Sequence, residues 1–130
     1  MNNEWQRKYR LSNDNKHTKI YEKTVIGFLM RLYRNMQSRI TGVQKGKFHL
    51  YEGKSLLTRE TFYQWALGSS EFYQLFGEYK RNGYDRKLCP SVDRKESDKG
   101  YEIPNMEWVT MSENSRRGAL SRHNNKEINV

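Results

Sequence analysis

The stretch PSVDRKESDKGYEIPNMEWVTMSENSRR, Pro90–Arg117, decides the fold. Ser91-Val92-Asp93, following Pro90, reads as a short strand. Lys95 to Pro104 is a polar loop with a turn at Asp98-Lys99-Gly100. Met106-Glu107-Trp108-Val109-Thr110 alternates, so Met106, Trp108 and Thr110 share one strand face, with Trp108 in the core. Thr110-Met111-Ser112-Glu113 is a capping box, in which the Thr hydroxyl and the Glu carboxylate satisfy each other's backbone donors at a helix start. Asn114 then falls in the first helical turn. Two strands and one helix of this size need support from the chain before them.

That support is helical. Asn82-Gly83 closes a helix from Glu71 to Arg81, capped by Ser70, with Phe72, Leu75, Phe76 and Tyr79 as its apolar set. Gly68-Ser69-Ser70 separates it from a helix capped by Thr58 and running through Leu67, with Phe62, Trp65 and Ala66 facing inward. Gln44 to Leu57 predicts an irregular loop or a short hairpin. Val25, Phe28, Leu29, Leu32, Met36 and Ile40 recur at steps of three and four, giving a helix over Tyr21–Ile40 that ends at Gly42. The expected class is α+β, with N-terminal helices packed on a C-terminal strand–strand–helix unit in one compact domain. Its parts are a basic flexible arm (1–20), a helical region (21–88), the unit itself (89–123) and a polar tail (124–130).

At 130 residues the chain has room for one modest core, and 13% aromatic residues argue against disorder. The formal net charge is +9 and the pI is 9.7. Such a balance points to a polyanionic partner, nucleic acid first, because lysines and arginines gain from phosphate contacts and counterion release. A merely soluble basic surface is the alternative. Candidate phosphate-contacting residues are Arg31, Arg34 and Arg39 on the first helix, Lys45 and Lys47 beside Phe48, His49 and Tyr51, and Lys95, Arg116 and Arg117 around the C-terminal unit. No long apolar run supports a membrane partner. Cys89 is the only cysteine, which excludes an internal disulfide and a cysteine-based zinc site and suits a reducing, cytoplasmic setting. Residues 1–20 carry no apolar core of a secretion signal.

Asp93, Asn105 and Asn114 bring one acid and two carboxamides from three neighbouring elements, a donor set that hard divalent cations accept. Each also has a structural explanation. Asp93 can pair with Arg94 or Arg116, Asn105 can cap a loop, and Asn114 can be a helix-surface amide.

Taken together, Val92-Asp93-Arg94, Lys99-Gly100-Tyr101, Asn105-Met106-Glu107-Trp108-Val109-Thr110 and Glu113-Asn114 resemble the HNH family, the His-Me or ββα-metal nucleases. The bacteriophage and prophage type, with Asp-Arg followed by a Lys-Gly-Tyr loop, is the most similar. The match covers roughly a quarter of the chain. The resemblance implies an HNH-like finger in which Asp93 and Asn114 ligate Mg²⁺ or Mn²⁺ and Asn105 pins the loop through its backbone. It implies phosphodiester hydrolysis as the chemistry, with the metal stabilising the phosphorane charge, and the cytoplasm of a bacterial host as the setting.

Arg94 departs from the family. Where the nucleases carry a histidine that takes a proton from water, arginine has no acceptor and stays protonated, although it can bind a phosphate bidentately. His123 is the nearest substitute base in sequence, with His49 and Tyr101 as weaker ones. The first reading is therefore an HNH-like protein that binds double-stranded DNA and, where a base is supplied, cuts it with a divalent metal at Asp93, Arg94 and Asn114. The alternative is an inactive member that acts by binding nucleic acid or by gripping a host or phage protein.

Overall fold

The computed structural model describes residues 19–42 and 45–128, with the side chains of Lys45, Lys47 and residues 121–128 outside the description. The expected basic arm lies largely outside the described residues. The chain divides into two units, residues 1–35 and 36–130, and the division falls within one helix, α1 (Val25–Thr41).

In the first unit, residues 19–22 form a single helical turn and α1 starts afresh at Val25. The expected uninterrupted helix from Tyr21 is broken by Thr24. Its hydroxyl donates to Tyr21 O at 2.6 Å and accepts Gly27 N–H at 3.1 Å, a local bond pattern that caps a new helix. Phe28, Leu29, Tyr33 and, past the boundary, Met36 are buried on α1. Tyr33 thus takes a place on the buried stripe that the spacing assigned to Leu32, which is only half-buried.

The second unit contains α2 (Arg59–Leu67), α3 (Ser70–Arg81), β1 (Pro90–Arg94), β2 (Met106–Thr110) and α4 (Met111–Ile128). Thr58 caps α2 as expected, its side chain accepting Thr61 N–H. Ser69, rather than Ser70, caps α3: its backbone is extended and its side chain accepts Phe72 N–H, while Ser70 is already helical. Asn82 ends α3. Gly83 (φ +67°) and then Tyr84 (φ +63°) turn the chain through the left-handed region. For tyrosine this conformation costs on the order of 1 kcal/mol. Tyr84 N–H to Tyr79 O at 2.9 Å and an edge-on contact of the two rings at 5.2 Å offset the cost.

β1 and β2 form a two-stranded antiparallel sheet with Val92 opposite Trp108 and Asp93 opposite Glu107. Because side chains alternate across a strand, Val92, Arg94, Met106 and Trp108 take one face, and Ser91, Asp93, Glu107 and Val109 the other. The first face meets the α2–α3 aromatics: Trp108 stacks on Trp65 (5.1 Å, 11°) and lies 4.8 Å from Phe72 and 6.4 Å from Phe62. Burying these rings is what allows a hairpin of two 5-residue strands to persist. The second face meets α4. The protein is thus α+β, several helices with one small antiparallel sheet.

Three local expectations change. Residues Lys45–Leu50 form a 3-10 turn, which drops the hairpin alternative and keeps the loop, and among the described residues Leu56 makes an isolated parallel bridge to Tyr101. The capping box is one-sided: Thr110 Oγ1 accepts Glu113 N–H at 3.1 Å, but the Glu113 carboxylate turns to Arg116 and Arg117. α4 runs to Ile128, so His123 and part of the expected tail lie in the helix rather than beyond it. No helix among the described residues is long and apolar enough to cross a membrane.

Candidate functional site

Asn105 is the anchor of the loop between the strands. Its side chain is buried, with Oδ1 accepting Glu96 N–H at 2.8 Å and Nδ2 donating to Glu96 O at 3.1 Å and Gly100 O at 2.9 Å. Its own carbonyl accepts Lys95 N–H at 2.7 Å. One carboxamide therefore satisfies three backbone groups, which only a side chain with both donor and acceptor ends can do. Gly100 is held against Ser55, where a Cβ would stand 2.2 Å from the Ser55 carbonyl oxygen.

On the α4 face the dominant feature is Arg117. Its Nη1 donates to Asp93 Oδ2 at 2.9 Å and to Glu107 Oε1, and its Nε donates to Glu113 Oε1 at 3.0 Å. Three carboxylates from β1, β2 and α4 thus surround one guanidinium, and they hold its pKa above the ordinary arginine value, Glu107 contributing most. Glu113 also receives Arg116 at 2.6 Å. The two guanidiniums, Arg116 first, hold its carboxyl down at about 2. Asp93 therefore pairs with Arg117, not with the Arg94 or Arg116 that sequence proximity suggested. Asn114 Nδ2 donates to Ser91 Oγ at 3.2 Å, which ties the first turn of α4 to β1 and leaves the amide oxygen free of that bond.

Arg94 belongs to the opposite face. Its Nη1 donates to Ser97 O and Lys99 O, both at 3.0 Å, and its guanidinium lies 4.3 Å above the Tyr51 ring and 5.7 Å from that of Tyr101. The expectation that Arg94 joins Asp93 and Asn114 around a phosphate is thereby corrected. Adjacent strand residues point to opposite sides, and this one is committed to two loop carbonyls and two stacked tyrosines.

The substitute bases fare unevenly. Tyr101 is buried and accepts Arg39 Nη1–H at 3.1 Å, and burial pushes its phenol up, so it stays protonated. His49 is exposed on the 3-10 turn. The His123 side chain lies outside the described residues, as do those of Lys45 and Lys47. Among the other expected phosphate contacts, Arg31 pairs with Glu22, Arg39 bonds Tyr101, and Arg116 and Arg117 serve the carboxylates. Arg34 and Lys95 are exposed. Lys95 and Glu107 also edge a cleft of about 420 Å³ that reaches Trp65, Ser69, Glu71 and Trp108.

Sequence reasoning missed Glu107, which only the strand register places on the face of Asp93, and Ser91, which strand alternation alone puts there. Glu113 with Arg116 and Arg117 was legible as i,i+3 and i,i+4 helix pairs. Comparison with protein-family models, with curated proteins and with solved structures gives no match.

The chemistry of the donor set argues against a divalent metal in this arrangement. Asp93 already faces a guanidinium, and Glu107 and Glu113 surround that guanidinium rather than a common vacant point. Among the described residues, no three His, Cys, Asp or Glu side chains are grouped to hold a metal.

Proposed function

We propose that this protein binds nucleic acid, duplex DNA in the first place, through an HNH-like finger whose hydrolytic site is closed by its own arginine. The strand–loop–strand–helix order, the loop pinned by Asn105, and the placement of Asp93 and Asn114 against each other's elements support the finger. The net charge of +9 supports the polyanionic partner. One observation carries the loss of hydrolysis: Arg117 supplies the positive charge beside Asp93 that a Mg²⁺ or Mn²⁺ ion would supply. A guanidinium balances carboxylate charge but offers no site for a metal-bound water, and Arg94 brings no base.

A second reading, a metal-dependent endonuclease, rests on Ser91, Asp93 and Glu107 sharing the face toward Asn114. Supercoiled plasmid incubated with Mg²⁺ or Mn²⁺ separates the two. The expected result is binding without nicking, in metal and in EDTA alike. Nicking that Asp93→Ala abolishes would overturn the closed-site reading in favour of the enzyme.

A further inference from the structure

The acidic residues on the α4 face neutralise the arginines there, so the positive charge that faces outward must be carried elsewhere. Lys80 and Arg81 end α3, and Arg86 and Lys87 open the 3-10 turn Arg86–Leu88. All four are exposed, and none is in an ion pair among the described residues. The only carboxylate within this run, Asp85, is engaged with the backbone, accepting Lys87 N–H at 3.1 Å.

Backbone hydrogen bonds hold much of the segment that presents them. Asn82 N–H bonds Glu78 O, Gly83 N–H bonds Lys80 O and Tyr84 N–H bonds Tyr79 O. Leu88 N–H bonds Asp85 O, and Cys89 N–H bonds Arg86 O. Met111 N–H then bonds Cys89 O at 2.9 Å and ties the turn to the start of α4. Lys80 and Arg81 complement the negative end of the α3 dipole, but Arg86 and Lys87 have no such compensation. Four exposed cations on one short stretch of hydrogen-bonded backbone offer a polyanion contacts with little ordering of the backbone.

Resting on the nucleic-acid reading above, we infer that Lys80, Arg81, Arg86 and Lys87 form the phosphate-contacting surface of this protein and engage the backbone of duplex DNA without reading its sequence. This surface is distinct from the Asp93–Arg117 cluster and from the cations that the sequence singled out.

Fluorescence anisotropy with a random-sequence DNA duplex, measured across a salt series, tests the assignment. Replacing all four residues by alanine is expected to weaken binding at least about tenfold and to lower the log–log salt slope by about 3 to 4, roughly one unit for each phosphate no longer neutralised. Lys99→Ala, which removes a cation already paired with Glu96 at 2.7 Å, is expected to leave the slope nearly unchanged. Amide shifts of the wild-type protein on adding duplex, expected to concentrate in residues 80–88, give a readout that needs no variant. If the wild type binds and the fourfold variant keeps its affinity and slope, the surface is wrong while the nucleic-acid reading stands. If the wild type binds no duplex, or retains only an acidic protein, both fall.

Discussion

Arg117 Nη1 lies 2.9 Å from Asp93 Oδ2, and the same guanidinium also bonds Glu107 and Glu113. A single cation therefore cross-links β1, β2 and the first turns of α4. It is the reason three acids can face one another on a small sheet.

Removing that cation leaves the three carboxylates uncompensated. Arg117→Ala is expected to lower stability by about 1 kcal/mol, a figure kept small because the guanidinium is 40% exposed and solvent screens the pairs. The loss should shrink at high salt. Mn²⁺, silent toward the wild type, should bind the variant and recover part of the lost thermal stability, because it can take the place of the missing charge. Calorimetric titration with Mn²⁺ together with melting curves checks this. Equal Mn²⁺ binding by both proteins would show that Arg117 does not block the site.

Arg94 gives the complementary case. If it steadies the loop, Arg94→Ala should leave duplex binding within about twofold of wild type while amide exchange at Ser97 and Lys99 accelerates. A stability loss of about 1 kcal/mol accompanies the removal of two bonds to carbonyls and the stacking on Tyr51. Arg94→His should not create a nuclease, because residue 94 points to the tyrosine side of the hairpin. Plasmid nicking by Arg94→His with Mg²⁺ would contradict that orientation.

The strands, the caps of α2 and α4 and the role of Trp108 were legible in the sequence because each follows from local periodicity or local hydrogen bonding. The loop-pinning role of Asn105 came with the family resemblance, and the geometry agrees with it. The two-residue strand period already sends Asp93 and Arg94 to opposite faces. What sequence could not give was the register that sets Glu107 opposite Asp93 and the helix packing that brings Arg117 to both. The helix break at Thr24 and the shift of the α3 cap from Ser70 to Ser69 have the same character. Several hydroxyls were available, and small differences in backbone conformation selected among them.

Glu113 predicts a pH dependence. Its carboxyl is held at about 2, below the ordinary 4.5, by Arg116 first and Arg117 second. A depressed carboxylate contributes stability that is fully present above its unfolded value and is lost as pH falls from about 4.5 towards 2. Carboxyl-carbon NMR titration should find this group titrating near 2 in the wild type and closer to 4.5 in Arg116→Ala. An unchanged titration in the variant would mean that the Arg116 bond does not govern the group.

Asn105 is the position at which a conservative change should cost most. Asn105→Asp keeps an acceptor for Glu96 N–H but removes both donations, so the carbonyls of Glu96 and Gly100 keep only the backbone donors Lys99 N–H and Glu102 N–H, and a charge enters a site only 5% exposed. Two lost hydrogen bonds together with a buried carboxylate that has no cation beside it are expected to cost about 2 to 4 kcal/mol at neutral pH. Part of it should return in acid, where the protonated carboxyl regains one donor. Asn105→Ala has no such recovery, since it can never donate. Urea unfolding of both variants at two pH values distinguishes a hydrogen-bonding anchor from simple space-filling. Equal losses at both pH values in both variants would show that shape alone, rather than donation to Glu96 and Gly100, sets the loop.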